Sequence, residues 1–255
     1  MMQPLAGRSV VVTGAGGGVG RGIALACARA GANVVIAALR TVNGDTVARE
    51  IADLGATALC VGCDVTRRGD VERAVAAAVE RFGGLDAMVH NATSRRSPEP
   101  CDLESATAAL WEQHCSVSLR GSYYAAQAAL PQLRARRGRF VLLTSPAGME
   151  GSATLPLYAM VKAAQRAFVK SLAREWGCLG INVNALSPLA ATPALVRAFA
   201  AHPALEAHLN ALIPLGRVGD PEQDIGAAAV LLLGDGARYV TGQTWVVDGG
   251  RFTGL

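Results

Sequence analysis

Tyr158 and Lys162 stand four residues apart in YAMVK, within an alanine-rich stretch, so on a helix both side chains share one face. A phenol titrates near about pH 10 and needs help to exchange protons at neutral pH. An ammonium on the same face favours the phenolate and supplies that help. Ser145, thirteen residues before Tyr158, follows the apolar run GRFVLLT, and its hydroxyl can donate to a carbonyl or alkoxide oxygen. Serine, tyrosine and lysine in this order suit proton transfer at an oxygen bonded to carbon. YxxxK recurs by chance in many sequences, so its meaning depends on what surrounds it.

The stretch TGAGGGVG, residues 13–20, lies between the apolar run SVVV and the helical stretch RGIALACARAGA. A loop that ends a strand and opens a helix presents unpaired N–H groups and the positive end of the helix dipole, a ready site for pyrophosphate. Gly14, Gly18 and Gly20 give TGxxxGxG rather than GxGxxG, because Val19 holds the place of the last glycine; Gly17 completes the loop. The usual NAD fingerprint puts an acidic residue at the end of the second strand to hold the adenosine ribose. Here that place falls at Ala38, no Asp or Glu precedes Asp45, and Arg40 follows two residues later. With no carboxylate to repel a 2′-phosphate and a guanidinium to pair with it, NADP is favoured over NAD.

Short β-branched runs at 8–13, 33–37, 57–62, 85–90, 138–144, 180–186 and 244–248 read as strands. They alternate with helical stretches near 19–30, 43–54, 67–82, 104–134, 156–177 and 221–233. This alternation predicts an α/β fold: a Rossmann-type, doubly wound parallel sheet of about seven strands with helices on both faces. No linker, repeat or low-complexity tract divides the chain, so residues 1–255 are expected to form a single domain. Such sheets bind ligands beyond the carboxyl ends of their strands, where the glycine loop and Ser145 both fall.

In order along the chain, the glycine loop, HNA at 90–92, Ser145, Tyr158 and Lys162 resemble the short-chain dehydrogenase/reductase family, in the group with chains near 250 residues. The resemblance runs from Arg8 to the closing YVTGQTWVVDGG. It implies that Gly14, Gly18 and Gly20 hold pyrophosphate and that Asp64 and Val65, in CDV, border the adenine. Asn91 and Ala92 match the family's NNAG segment, and Ser145, Tyr158 and Lys162 match its catalytic residues. The implied activity interconverts a ketone or aldehyde and an alcohol on a small substrate, with NADP as the cofactor and NAD as the alternative. C=C or C=N reduction, or a cofactor-binding scaffold with little turnover, are the other readings.

Three positions depart from the family pattern. Ser118, in SVSLRG, stands where the family carries an asparagine that supports a water linking the lysine to solvent. Thr93 replaces the glycine of NNAG, and Pro188-Leu189 replaces the PG after the sixth strand, leaving Thr192 as the implied partner of the nicotinamide amide. The apolar segment at about 189–215 takes the place of the substrate loop.

Composition excludes other classes. The net charge is +4, and the basic residues are scattered without interleaved aromatics, against nucleic-acid binding. The longest apolar stretches fall far short of the roughly 20 residues that span a bilayer, and MMQPLAGR lacks a signal peptide's apolar core, so a cytoplasmic protein is expected. Six cysteines in a chain this long make no disulfide framework, and Cys60 and Cys63 in CVGC lack a second pair for zinc. His90, His114, His202 and His208 show no triad or metal spacing, and none is expected to be catalytic. A hydrophobic fraction of 51% favours buried surface within the domain or between subunits of a dimer or tetramer.

Overall fold

The computed structural model describes residues 3–97 and 99–254; residues 1, 2, 98 and 255 of the expected domain lie outside the described residues. Seven strands, β1 (Ser9–Thr13), β2 (Asn33–Ala38), β3 (Ala58–Gly62), β4 (Ala87–His90), β5 (Arg139–Leu143), β6 (Asn182–Pro188) and β7 (Thr244–Val247), form one sheet. All neighbouring pairs are parallel, in the order β3-β2-β1-β4-β5-β6-β7.

Every residue of SVVVT in β1 is buried, because helices cover both faces of the sheet and leave no polar side for the strand to show. Alternation still sorts the side chains. Val10, Val12, Val34 and Ile36 enter one core, and Val11 and Val35 enter the other. The helices are α1 (Gly18–Arg29), α2 (Thr41–Asp53), α3 (Arg68–Phe82), α4 (Ala108–His114), α5 (Gly121–Arg136), α6 (Ala147–Glu150), α7 (Pro156–Trp176), α8 (Pro193–Ala201), α9 (Pro203–Ala211) and α10 (Ala227–Leu233). The first core takes Ile23 of α1, Ile51 of α2 and Leu232 of α10; the second takes Val71 of α3, Leu133 of α5 and Val169 of α7. None of the described helices is long and apolar enough to cross a membrane.

The expected helix at 104–134 differs from the one found. Asp102 and Ser105 close a turn of their own, with the Ser105 N–H donating to Asp102 Oδ1 at 2.7 Å. The helix starts after Thr107, whose hydroxyl accepts from the Leu110 N–H at 3.1 Å. Between α4 and α5, Cys115–Arg120 widen into a π-helical turn, so one continuous rod changes its register in the middle.

The chain runs outward from β1 to β3, then crosses back to lay β4 on the other side of β1. The crevice between the carboxyl ends of β1 and β4 is therefore the switch point where a ligand can enter an open α/β sheet.

Candidate active site

The carboxyl ends of the strands open into a cleft of about 1100 Å³. Its first wall is the glycine loop. Gly14 turns with φ +66°, a left-handed conformation that a side chain would strain. Gly17 opens α1; no side chain caps the helix and its first turn holds no acid, so the free N–H groups face an anion site unopposed. Gly20 is buried behind the loop, where an added Cβ would lie 2.5 Å from Asn91 Nδ2 and nearer still to the Gly14 carbonyl. Asn91 holds the crevice together: its Nδ2 donates to the Thr13 carbonyl at 3.1 Å and the Gly14 carbonyl at 3.2 Å. Bare backbone, free donors and a missing acid together fit a pyrophosphate.

Ala38, Leu39, Arg40 and Asn43 line the far end with Asp64 and Val65. The end of β2 offers no carboxylate, and Arg40 is exposed and joins none of the ion pairs among the described residues. Asp64 spends one oxygen on its own turn, accepting from the Thr66 N–H at 3.0 Å and the Thr66 hydroxyl at 2.7 Å.

On the opposite wall, α7 carries Tyr158 and Lys162 on one face, as their spacing predicts, and both line the cleft with Leu143 and Thr144 from the end of β5. Lys162 is 2% exposed, and its Nζ donates to the Leu143 carbonyl at 2.8 Å. Burial pushes its pKa down to about 7. Nζ sits 5.6 Å from the centre of the Tyr158 ring. The Ser145 hydroxyl lies close enough to the Tyr158 phenol to favour its ionised form, and it accepts from the Ala147 N–H at 3.3 Å.

Burial raises the Tyr158 phenol above its ordinary value, and the Ser145 hydroxyl pulls it partly back. The phenol is thus held protonated, the form that can give a proton to an alkoxide.

Of the other expected residues, Val19, Ala92, Pro188 and Thr192 line the cleft with the loop and the β4 end. Gly18 lies behind the rim, with Thr192 and Pro193 across from it at less than 4 Å from where its Cβ would be. Thr192 caps α8, its hydroxyl accepting from the Leu195 N–H at 3.3 Å, which leaves the hydroxyl hydrogen for a ligand. Ser118 does not reach the cleft surface; it is fully buried in the π-helical turn.

The two other departures cost little locally. Thr93 is exposed on the cleft wall with its hydroxyl 3.0 Å from that of Ser97, and Leu189 keeps both backbone groups bonded, to Val247 and Gly219. The apolar segment at 189–215 folds into α8 and α9, and α8 turns Ala194, Leu195 and Ala198 toward the cleft. Val117 and Leu155 complete that apolar wall. Ordinary aliphatic residues carry no mark of such a role in a sequence. His114, which has no triad or metal spacing in the sequence, is 3% exposed and packs its ring 6.5 Å, centre to centre, from that of Tyr158.

The family model described as enoyl-(acyl carrier protein) reductase matches residues 14–251. An L-rhamnose 1-dehydrogenase (NAD(P)(+)) of Azotobacter vinelandii is 34% identical, covering 97% of this chain and 98% of its own. An L-fucose dehydrogenase of Oryctolagus cuniculus is 36% identical, covering 98% of this chain and 86% of its own. Among solved structures, a 7α-hydroxysteroid dehydrogenase complexed with NADH and 7-oxo glycochenodeoxycholic acid superposes with a TM-score of 0.90 at 30% identity, covering 97% of this chain and 95% of that one. With similarity running over nearly its whole length, the chain belongs to the short-chain dehydrogenase/reductase family of NAD(P)-dependent oxidoreductases.

Proposed function

We propose that this chain interconverts a ketone or aldehyde and an alcohol on a small, largely apolar substrate, preferring NADP(H) to NAD(H). The observation that carries the reading is the half-buried Tyr158 phenol, with the Ser145 hydroxyl acting on it and Lys162 beside it, on the wall facing the glycine loop. A bound nicotinamide dinucleotide supplies the hydride donor or acceptor.

In reduction, Ser145 and Tyr158 hold the substrate oxygen through their hydroxyls, and Tyr158 gives that oxygen its proton. Lys162, with a pKa near 7, stands ready to restore the proton to the phenolate. In oxidation the same groups run in reverse, Tyr158 removing the alcohol proton. Gly14, Gly17, Gly18 and Gly20 shape the pyrophosphate site, Asn91 and Ala92 hold its far side, and Asp64 and Val65 border the adenine.

The preference for NADP rests on Ala38 and Arg40: no carboxylate repels a 2′-phosphate and a free guanidinium is placed to meet it. The substrate class rests on Val117, Leu155, Leu189 and Leu195 at the open end of the cleft. Exposed Trp111 on α4 and Tyr123 on α5, 43% and 48% accessible, support self-association as a dimer or tetramer. Six free cysteines suit a reducing, cytoplasmic setting, and one sheet with a core on each face supports a single domain over 1–255. The description of the matching family model favours a second reading, reduction of a C=C bond next to a carbonyl.

A panel of ketones, secondary alcohols and enones, each run with both dinucleotides, tests these readings together. Turnover of a carbonyl and alcohol pair, with kcat/KM higher for the phosphorylated cofactor, is expected. Turnover of enones alone selects the second reading, and binding of dinucleotide without turnover of any substrate defeats both.

A further inference from the structure

Four charged side chains line the cleft: Arg40, Asp64, Arg95 and Lys162. Arg40 and Asp64 stand at the far end and Lys162 beside Tyr158, which leaves Arg95 unassigned. It is exposed and joins none of the ion pairs among the described residues. Its neighbour Arg96 is spent on Glu99, Nε donating to Oε2 at 2.6 Å.

The surrounding chain sets the place of Arg95. Arg95 and Arg96 form the middle of a turn that the Ser97 N–H closes by donating to the Ser94 carbonyl at 3.0 Å. The buried Ser94 hydroxyl accepts from the Arg96 N–H at 3.2 Å and braces the turn. This turn follows β4, which stands two strands from β2, about 10 Å across the sheet, and so lies away from Ala38 and Arg40. Farther along, the Cys101 N–H donates to the Thr154 carbonyl at 2.9 Å, tying the loop to the residues that lead into Tyr158. The Arg96 charge also reaches His114, whose ring packs on that of Tyr158. Arg95 therefore belongs to the Tyr158 side of the cleft.

The polar groups of this turn are left with hydrogens to give. Thr93 and Ser97 share one hydrogen bond between hydroxyls 3.0 Å apart, so one of their two hydrogens is left over. A guanidinium brings five N–H donors and no acceptor. No carboxylate answers them: Asp64, at the far end, is the acid that lines the cleft, and Glu99 is paired with Arg96. Donors without acceptors complement an anion, and the planar fork of arginine suits a carboxylate. Val117, Leu155 and Leu195, on the same side of the cleft, suit hydrocarbon.

We propose that the substrate carries a carboxylate on its apolar body, and that Arg95, with the hydroxyls of Thr93 and Ser97, binds it while Tyr158 meets the reacting oxygen. Arg95 is then the specificity-determining residue that selects acids over neutral ketones and alcohols. The role in turnover rests on the oxidoreductase reading above; the anion site itself does not.

Methyl ketones ending in a carboxylate, in a series of graded length, are compared with the primary amides of the same length. The preferred acid should exceed its amide in kcat/KM by at least about tenfold, the scale of a hydrogen bond to a charged group. Arg95→Ala should lower that ratio about tenfold, through KM rather than kcat, as lost uniform binding requires. Arg95→Lys, which keeps the charge without the fork, should retain part of it. Equal turnover of acid and amide at every length, or an unchanged ratio in Arg95→Ala, overturns the proposal. So does a fall in NADP affinity in that variant, which would assign the guanidinium to the cofactor's phosphates. If no ketone turns over with either dinucleotide, the oxidoreductase reading fails instead, and calorimetry judges the anion site. Octanoate should then bind the NADP complex at least about tenfold more tightly than octanamide, and equal binding overturns the site.

Discussion

Lys162 Nζ, on α7, donates its 2.8 Å hydrogen bond to the carbonyl of Leu143, the last residue of β5. The lysine thereby ties the helix that carries Tyr158 to the strand that ends beside Ser145. A buried amine in that position is tuned for proton exchange and is expensive to keep charged.

That expense makes a prediction about stability. Burial lowers the Lys162 pKa from 10.5 to about 7, so between those values the unfolded chain binds a proton that the folded one has released. Unfolding is then opposed more strongly as pH rises through that window, and this contribution is absent at and below its lower end. Lys162→Met removes the dependence. The stability of the variant minus that of the original protein should fall from pH 7 to pH 9, by up to about 1.4 kcal/mol per pH unit. Urea unfolding of both proteins at each pH measures it, and a difference that stays flat would show that the amine is charged when folded.

Tyr158→Phe removes only the hydroxyl that gives the proton and leaves the ring in its packing. Activity should fall by at least about 100-fold, the scale of a general acid, while dinucleotide affinity stays within a few fold. Steady-state assays with a titration of cofactor fluorescence read both quantities. Most of the activity surviving would remove Tyr158 from the mechanism.

Much of this arrangement was legible in the residues. Strands buried on both faces must be continuous apolar runs, so SVVVT and NVVIAA stand out, and a glycine loop between a strand and a helix has few other uses. What stayed hidden depends on burial or on backbone register. The π-helical turn at Cys115–Arg120 has no residue signature, since a shift from i+4 to i+5 bonding needs no special side chain. His114 carries no triad or metal spacing in the sequence, and only the fold sets its ring against Tyr158. The acidity of the phenol depends on burial in the same way: spacing shows the nearby lysine, and only the fold shows the desolvation that raises the phenol.

Cofactor choice should respond to one residue. Ala38→Asp places a carboxylate at the end of β2, on the cleft wall beside Arg40, where it repels a 2′-phosphate and can accept from ribose hydroxyls. The ratio of kcat/KM for NADP over NAD should fall by more than about tenfold, or about 1.4 kcal/mol of discrimination. An unchanged ratio would show that the adenosine end binds away from Ala38.

Two glycines of the same loop should separate stability from binding. At Gly20 a methyl would press on the Gly14 carbonyl and on Asn91 Nδ2, the atom that holds β4 to the loop, with backbone on one side and no room on the other. Gly20→Ala should therefore cost about 1–3 kcal/mol, the range for overpacking a tight interior, and should weaken dinucleotide binding as the loop shifts. At Gly17 nothing lies within 4 Å of the added carbon, and the backbone is extended, with φ 174°, so alanine fits without strain. Its methyl would instead stand at the opening of α1, on the cleft wall where the phosphates approach. Gly17→Ala should keep stability within about 0.5 kcal/mol, as surface changes do, and still weaken dinucleotide binding. Thermal unfolding and a dinucleotide titration of both variants give the comparison. If Gly17→Ala binds as tightly as the original protein, the phosphates do not approach the helix at that point, and the cradle must lie elsewhere along the cleft.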